Sequence, residues 1–211
     1  MAAGRDPASI TLVAVTKTQP AGVVRAAALL GVTEFGENYV REAAEKIESV
    51  ADPALDWHFI GGLQANKTRT VASLFGWVHS IDRLSLARRL SEQRPFHAPP
   101  LNLCIQVALV PEATKGGVAP ADVPGLAREI AALPRIRLRG LMCLPPPVAG
   151  SAAQRDLFAS LRRLRERLNA DGLGLDTLSM GMSGDFEAAI LEGATHVRIG
   201  TALFGERQAR G

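Results

Sequence analysis

An α/β chain folded as a single (β/α)₈ TIM barrel is the architecture this sequence predicts, and three observations predict it. Short apolar or β-branched runs alternate with amphipathic stretches eight times between residues 10 and 199. Such alternation builds parallel strands whose crossover helices cover the outside of the sheet. No G-x-G-x-x-G follows the first run. That omission argues against a dinucleotide fold, although an open doubly wound sheet remains the alternative. No Pro/Gly-rich linker, repeat or low-complexity tract divides the 211 residues, so one domain over 1–211 is expected.

The elements follow in order. Leu12-Val13-Ala14-Val15-Thr16 carries no charge and predicts a buried strand over 10–16, with Lys17 at its end. A helix over 20–30 begins at Pro20 and is closed by Gly31. A short strand over 33–36 leads to a helix opened by Glu37-Asn38, with Val40, Ala43, Ala44 and Ile47 at a 3.6-residue period. A third strand over 56–61 ends at Gly61-Gly62, and a helix over 64–75 follows. A fourth strand over 77–81 precedes a helix over 83–93, and a proline-containing loop over 94–100 leads to the fifth strand, over 101–110. Val123, Leu126, Ile130 and Leu133 share one side of a helix over 120–133, followed by a strand over 137–143. Pro145-Pro146-Pro147 breaks the chain. The longest helix, over 151–169, has the stripe Leu157, Leu161, Leu164 and Leu168, with its arginines mostly off it. Strands over 176–180 and 196–199 flank a helix over 185–192.

Composition narrows the classes. A hydrophobic share of 47% against 21% charge is that of a globular chain long enough to bury a full core. The net charge of +3 is spread without a dense basic block, so nucleic acid is not implied. No run approaches the length of a membrane span, and no signal peptide is visible. Cys104 and Cys143 lie in apolar runs and read as buried free thiols in a reducing cytoplasm. A cytoplasmic protein, without membrane or nucleic-acid partner and monomeric, is expected.

Chemistry concentrates at strand ends. Ligands of such barrels bind at the carboxyl ends of the strands, and phosphate commonly binds at the loops after strands seven and eight. Here those loops are Ser179-Met180-Gly181-Met182-Ser183-Gly184-Asp185 and Arg198-Ile199-Gly200-Thr201. Small residues let backbone N–H groups approach an anion, and the hydroxyls of Ser183 and Thr201 add donors. The structural alternative is a helix cap at Ser183 and a tight turn at Gly200. Alternation places Arg198 with His196 and Gly200 on the face opposite Val197 and Ile199, pointing into the barrel. Lys17 shares the parity of Val13 and Val15. A lysine beside a phosphate corner suggests an imine with a phosphorylated carbonyl compound: an aldolase-type sugar phosphate or pyridoxal 5′-phosphate (PLP).

Six motifs choose between the two. Leu12-Val13-Ala14-Val15-Thr16-Lys17-Thr18, Phe35-Gly36-Glu37-Asn38-Tyr39, Trp57-His58-Phe59-Ile60-Gly61 with Leu63-Gln64 and Asn66-Lys67, Gly140-Leu141-Met142, Leu178-Ser179-Met180-Gly181-Met182-Ser183 and Val197-Arg198-Ile199-Gly200-Thr201 occur in this order. Together they resemble the pyridoxal-phosphate homeostasis protein family over residues 10–207. The resemblance implies a barrel like the N-terminal domain of alanine racemase, with PLP bound as a lysine imine. It implies Lys17 as the Schiff-base lysine, Asn38 lining the cofactor, Ser183, Gly200 and Thr201 cradling the phosphate, and Arg198 facing the pyridine nitrogen. An arginine there opposes ring protonation and weakens the electron sink. The resemblance implies a role in intracellular PLP homeostasis, buffering PLP or delivering it to apo PLP enzymes, rather than catalysis, although an arginine at that position does not by itself forbid catalysis. A weak PLP-dependent amino-acid racemase or lyase is the alternative. Lys67 and Lys115 are candidate secondary amines for transfer, or plain surface charge. The departures are Gly62 where the family commonly has histidine, Ala108 near a common asparagine, and Gly184 where an acid is common. The family's helix ahead of the first strand is expected to be missing or shortened, because Ala3-Gly4-Arg5-Asp6-Pro7 stands where its tail belongs.

Overall fold

Eight parallel strands close into a barrel in the order in which they occur, with the first strand pairing both the second and the eighth. The computed structural model describes residues 4–110 and 116–205. The strands are β1 (Thr11–Val15), β2 (Glu34–Glu37), β3 (Asp56–Phe59), β4 (Trp77–Ile81), β5 (Leu101–Val107), β6 (Ile136–Cys143), β7 (Thr177–Ser179) and β8 (His196–Ile199). The helices that follow them are α1 (Ala21–Leu29), α2 (Val40–Val50), α3 (Thr68–Leu74), α4 (Leu84–Gln93), α5 (Val123–Ala131), α6 (Ser151–Ala170), α7 (Phe186–Leu191) and α8 (Thr201–Phe204). Val13 of β1 stands beside Arg198 of β8, which closes the sheet and sets the depth of the arginine.

The hydrophobic core lies mostly between the strands and the helices. Phe35, Phe59, Phe75, Phe158, Leu101 and Leu141 are fully buried there. Burying such a side chain contributes about 1.5–3 kcal/mol, so this outer shell holds the helices on the sheet. The barrel interior is different. Trp77, Cys104 and Met142 form a small apolar cluster inside it. The other inward positions include His58, His79, Ser179, His196 and Arg198, all buried. Branched apolar residues usually fill such interiors, so this one is unusually polar.

Some boundaries differ from the sequence pattern. Glu37 ends β2 rather than opening a helix, and α2 begins at Val40. The inward register of α2 buries Ala43 and Lys46, leaving Ala44 half-buried. A lysine occupies a core-facing position because two glutamates meet it there. In α6 the buried stripe runs through Phe158 and Ala159 with Leu161, Leu164 and Leu168, and Leu157 is displaced to the edge. The helix after β3 starts with a 3₁₀ turn, Ala65–Lys67, and β5 stops at Val107. A helical turn, α8, follows β8 where only a loop was expected. Ahead of β1, Pro7–Ser9 makes one 3₁₀ turn, and Arg5 donates to the carbonyl of Ala194 at 2.5 Å, tying the segment to the chain just before β8. Ala3 and Lys115 lie outside the described residues.

Candidate functional site

At the carboxyl ends of the strands a cavity of about 280 Å³ opens. Lys17, Asn38, Ser183, Arg198, Gly200 and Thr201 all line it, together with apolar Val15, Ile60, Leu144 and Met182. Residues separated by more than 180 positions in sequence therefore share one small volume.

The turn that carries Lys17 is held on both sides. Thr16 is fully buried, and its hydroxyl donates to Glu37 Oε1 at 2.7 Å. Lys46 Nζ donates to the Thr16 carbonyl at 2.7 Å and to Glu37 Oε1 at 2.5 Å, and also reaches Glu42 Oε1 at 3.1 Å. The Thr18 amide donates to Glu42 Oε1 at 2.5 Å. Thr18 has φ +67, left-handed backbone that a β-branched residue rarely adopts. That conformation costs about 1–2 kcal/mol, which the bond to Glu42 helps to offset. Burial pushes the Glu37 carboxyl above its usual range, while Lys46 pulls it back. This buried pair is a brace: Lys46 spends its charge on two glutamates, whereas Lys17 is presented to the cavity.

Asn38 follows β2 directly. Gly61 packs so closely against it that a Cβ there would lie 2.2 Å from the Asn38 carbonyl oxygen, so only glycine permits this approach. The Asn38 Oδ1 atom is buried and has no hydrogen-bond partner among the described residues. An orphaned acceptor at a cavity wall fits a ligand with a donor to offer.

Arg198 is 3% exposed. Its Nη1 donates to Ser179 Oγ at 2.6 Å and its Nη2 to the Cys143 carbonyl at 2.8 Å. Burial lowers its pKa, and the Asp185 carboxylate acts the other way. Burial also pushes the Cys104 and Cys143 thiols up to about 12, so they stay protonated and inert. Both are free cysteines, as their apolar surroundings in the sequence suggest.

The loops after β7 and β8 meet at Ser183, whose Oγ accepts the Ala202 amide of α8 at 3.2 Å. Ser183 thus joins the two loops rather than capping α7, and it also lines the cavity. Gly181, at φ +96, makes the bend that permits this, because a side chain there would strike Ala189. Thr201 begins α8, exposed at the rim.

Lys67 is exposed and faces a neighbouring cavity of about 410 Å³, which shares Asn38 with the first. Tyr39 lines this second cavity rather than the first. Gly62 is exposed, with open space where a side chain would project. Sequence reasoning missed Glu37, Glu42 and Lys46 as a group. The i,i+4 spacing of Glu42 and Lys46 was the available signal. It also passed over His79, although Trp77 and His79 alternate on one face of β4.

With this geometry in place, comparison with known proteins is informative. The model of the alanine racemase N-terminal domain matches residues 4–208. The chain belongs to that family. Within it, the pyridoxal phosphate homeostasis protein of Pseudomonas aeruginosa is 60% identical over 206 residues, covering 98% of this chain and 88% of the relative. The protein of the same name from Escherichia coli K12 is 47% identical over 207 residues, covering 97% and 88%. PipY of Synechococcus elongatus, solved with PLP bound, superposes with a TM-score of 0.89 at 40% identity, covering 95% of each chain. An alanine racemase from Corynebacterium glutamicum superposes at 0.72 with 17% identity, covering 96% of this chain and 59% of that one, which shows a shared fold. Among the described residues no helix is long and apolar enough to cross a membrane.

Proposed function

We propose that this chain binds PLP in the cavity at the carboxyl ends of its strands, linked covalently through Lys17, and serves PLP homeostasis by holding the cofactor and handing it to apo PLP enzymes. The observation that carries this reading is the convergence of one lysine, one buried arginine and two small-residue loops on one cavity of about 280 Å³. The donor set fits the group. A phosphate needs N–H and O–H donors, which Ser183, Gly200 and Thr201 offer. The aldehyde needs an amine, and Lys17 reaches the cavity. The ring nitrogen needs a donor if it stays unprotonated, and Arg198 is one. The 3-hydroxyl can engage Asn38. When bound, PLP supplies an electrophilic ring system; the chain's residues orient it and shield its aldehyde from other amines.

Holding fits better than turnover. Among the described residues lining the cavity, the titratable side chains are Lys17 and Arg198. A racemase needs a second acid/base on the opposite face of its substrate. Relatives at 45–60% identity carry the homeostasis name, which supports the same reading.

The test is spectroscopic and chemical. Purified protein is mixed with PLP, its absorbance recorded, and the adduct fixed with borohydride and mapped by mass. The expected result is an imine band with the label on Lys17, both lost in Lys17→Ala. Label spread over Lys46, Lys67 and Lys115, or a band that survives Lys17→Ala unchanged, defeats the assignment.

A further inference from the structure

Behind Arg198 a chain of hydrogen bonds runs down the barrel axis. Arg198 Nη1 meets Ser179 Oγ at 2.6 Å, and Ser179 Oγ meets His79 Nδ1 at 2.7 Å. His79 Nε2 meets His58 Nδ1 at 2.9 Å, and His58 Nε2 meets Glu34 Oε2 at 2.6 Å. Five residues from β8, β7, β4, β3 and β2 thus connect the cavity with the opposite mouth of the barrel. Ser179, His79 and His58 are fully buried or nearly so, and the Glu34 side chain is 30% exposed.

The ends of this chain fix its direction. A guanidinium only donates, and a carboxylate only accepts. Ser179, His79 and His58 lie between them, and each can accept one hydrogen bond and donate one. With no added proton, a single arrangement satisfies all four contacts. Arg198 donates to Ser179, the Ser179 hydroxyl donates to His79 Nδ1, His79 Nε2–H donates to His58 Nδ1, and His58 Nε2–H donates to Glu34. Both imidazoles are then neutral Nε2–H tautomers. Burial above all, with the Arg198 guanidinium nearby, holds His79 well below its ordinary pKa, consistent with that state. The groups around the histidines fit it too. Trp77 stacks flat on His58 at 5.5 Å, and the His196 ring lies 6.1 Å from it. Asp56 stands beside Glu34 and His58 on the floor.

We propose that Glu34, His58 and His79 are positioning residues that act through Ser179 to aim Arg198 at the cavity. This rests on the reading of the cavity as a PLP site. The physical reason is the Ser179 hydroxyl. While its hydrogen is committed to His79, a lone pair faces Arg198 and holds the guanidinium. If Glu34 is removed, His58 no longer has a reason to carry its proton on Nε2. Its Nδ1–H tautomer then confronts His79, whose tautomer reverses in turn. Ser179 next receives two N–H groups, and its own hydrogen loses its acceptor. A change at the far mouth is thereby transmitted to the arginine without touching the cavity.

Two measurements test this on the full chain. The first is ¹⁵N NMR of histidine-labelled protein without cofactor at neutral pH. The expected result is that His58 and His79 are both neutral and protonated on Nε2. A neutral ring carrying its proton on Nδ1, or a doubly protonated His58, overturns the chain. The second is the rate at which bound PLP is released, with its absorption band. Glu34→Ala and Ser179→Ala should each speed release by about three- to tenfold, the scale of one net hydrogen bond, and shift the band. Ser179→Thr should restore both. Glu34→Ala with wild-type tautomers and release overturns the proposal. Failure of the wild-type protein to bind PLP defeats the site assignment instead, and the NMR result still decides the relay.

Discussion

The two mouths of this barrel use similar residue types to opposite ends. At the carboxyl mouth, polar groups stand around a cavity and point across it, and the buried Asn38 Oδ1 has no partner among the described residues. At the amino mouth, polar groups close on one another. Arg139 binds Asp176 in bidentate fashion at 2.8–3.0 Å, meets Asn102 Oδ1 at 3.1 Å and lies over the Trp77 ring at 4.9 Å. Arg139 is enclosed by its neighbours at the floor, while Arg198, held by Ser179 and the Cys143 carbonyl, borders the cavity. Parallel barrels place chemistry at the carboxyl ends of their strands and stability at the other end. The partners of each arginine here are the concrete form of that division.

If the comparison is right, changes on the floor outside the chain from Glu34 to Arg198 should register as stability and changes at the upper rim as binding. The largest effect is expected from Trp77→Ala, which empties the packed floor beneath Arg139 and His58. A loss of about 3–5 kcal/mol in urea unfolding is the expected cost of removing a buried aromatic ring. A loss below ~1 kcal/mol would mean that the floor is not the stabilising end.

A more gradual effect is expected from acid. Burial lowers the pKa of His196 from 6.5 to about 3, and that of His79 moves the same way. A folded-state pKa below the unfolded value favours the neutral form in the fold. The stabilisation is therefore complete above the unfolded pKa and is lost as pH falls from about 6.5 towards 3. Each such group contributes a slope of at most about 1.4 kcal/mol per pH unit. Urea midpoints measured down through this range should fall, and His196→Asn should flatten the fall. A slope unaffected by His196→Asn would remove that histidine from the account.

The smallest stability effect belongs to the upper rim. Thr201 is exposed, so Thr201→Ala should change stability by no more than about 0.5 kcal/mol. PLP titration of the same variant should show weaker binding, by about three- to tenfold for one lost donor. Destabilisation without weaker binding would reverse the proposed division.

Much of this was legible in the residues. The alternation of short β-branched runs with amphipathic stretches specified eight strands and the first seven helices, because strands covered by helices must be apolar on their outward face. Parity along β8 put Arg198 inside, since Val197 and Ile199 had to face the helices. Small residues after β7 and β8 marked the loops that reach the cavity. Other features depended on non-local contacts. That Lys46 would be buried against Glu37 and Glu42 depends on how α2 rotates against β1. That Phe158 would displace Leu157 from the α6 stripe depends on the helix's packing angle. The axial chain from Arg198 to Glu34 joins five strands, and no local pattern announces a bond between side chains 100 positions apart, as between His79 and Ser179. Sequence by itself determined the strands, the inward faces and the chemical types set at their ends. Closure of the barrel decided which groups meet, because hydrogen bonds form by distance and direction in space, and only the closed sheet sets both.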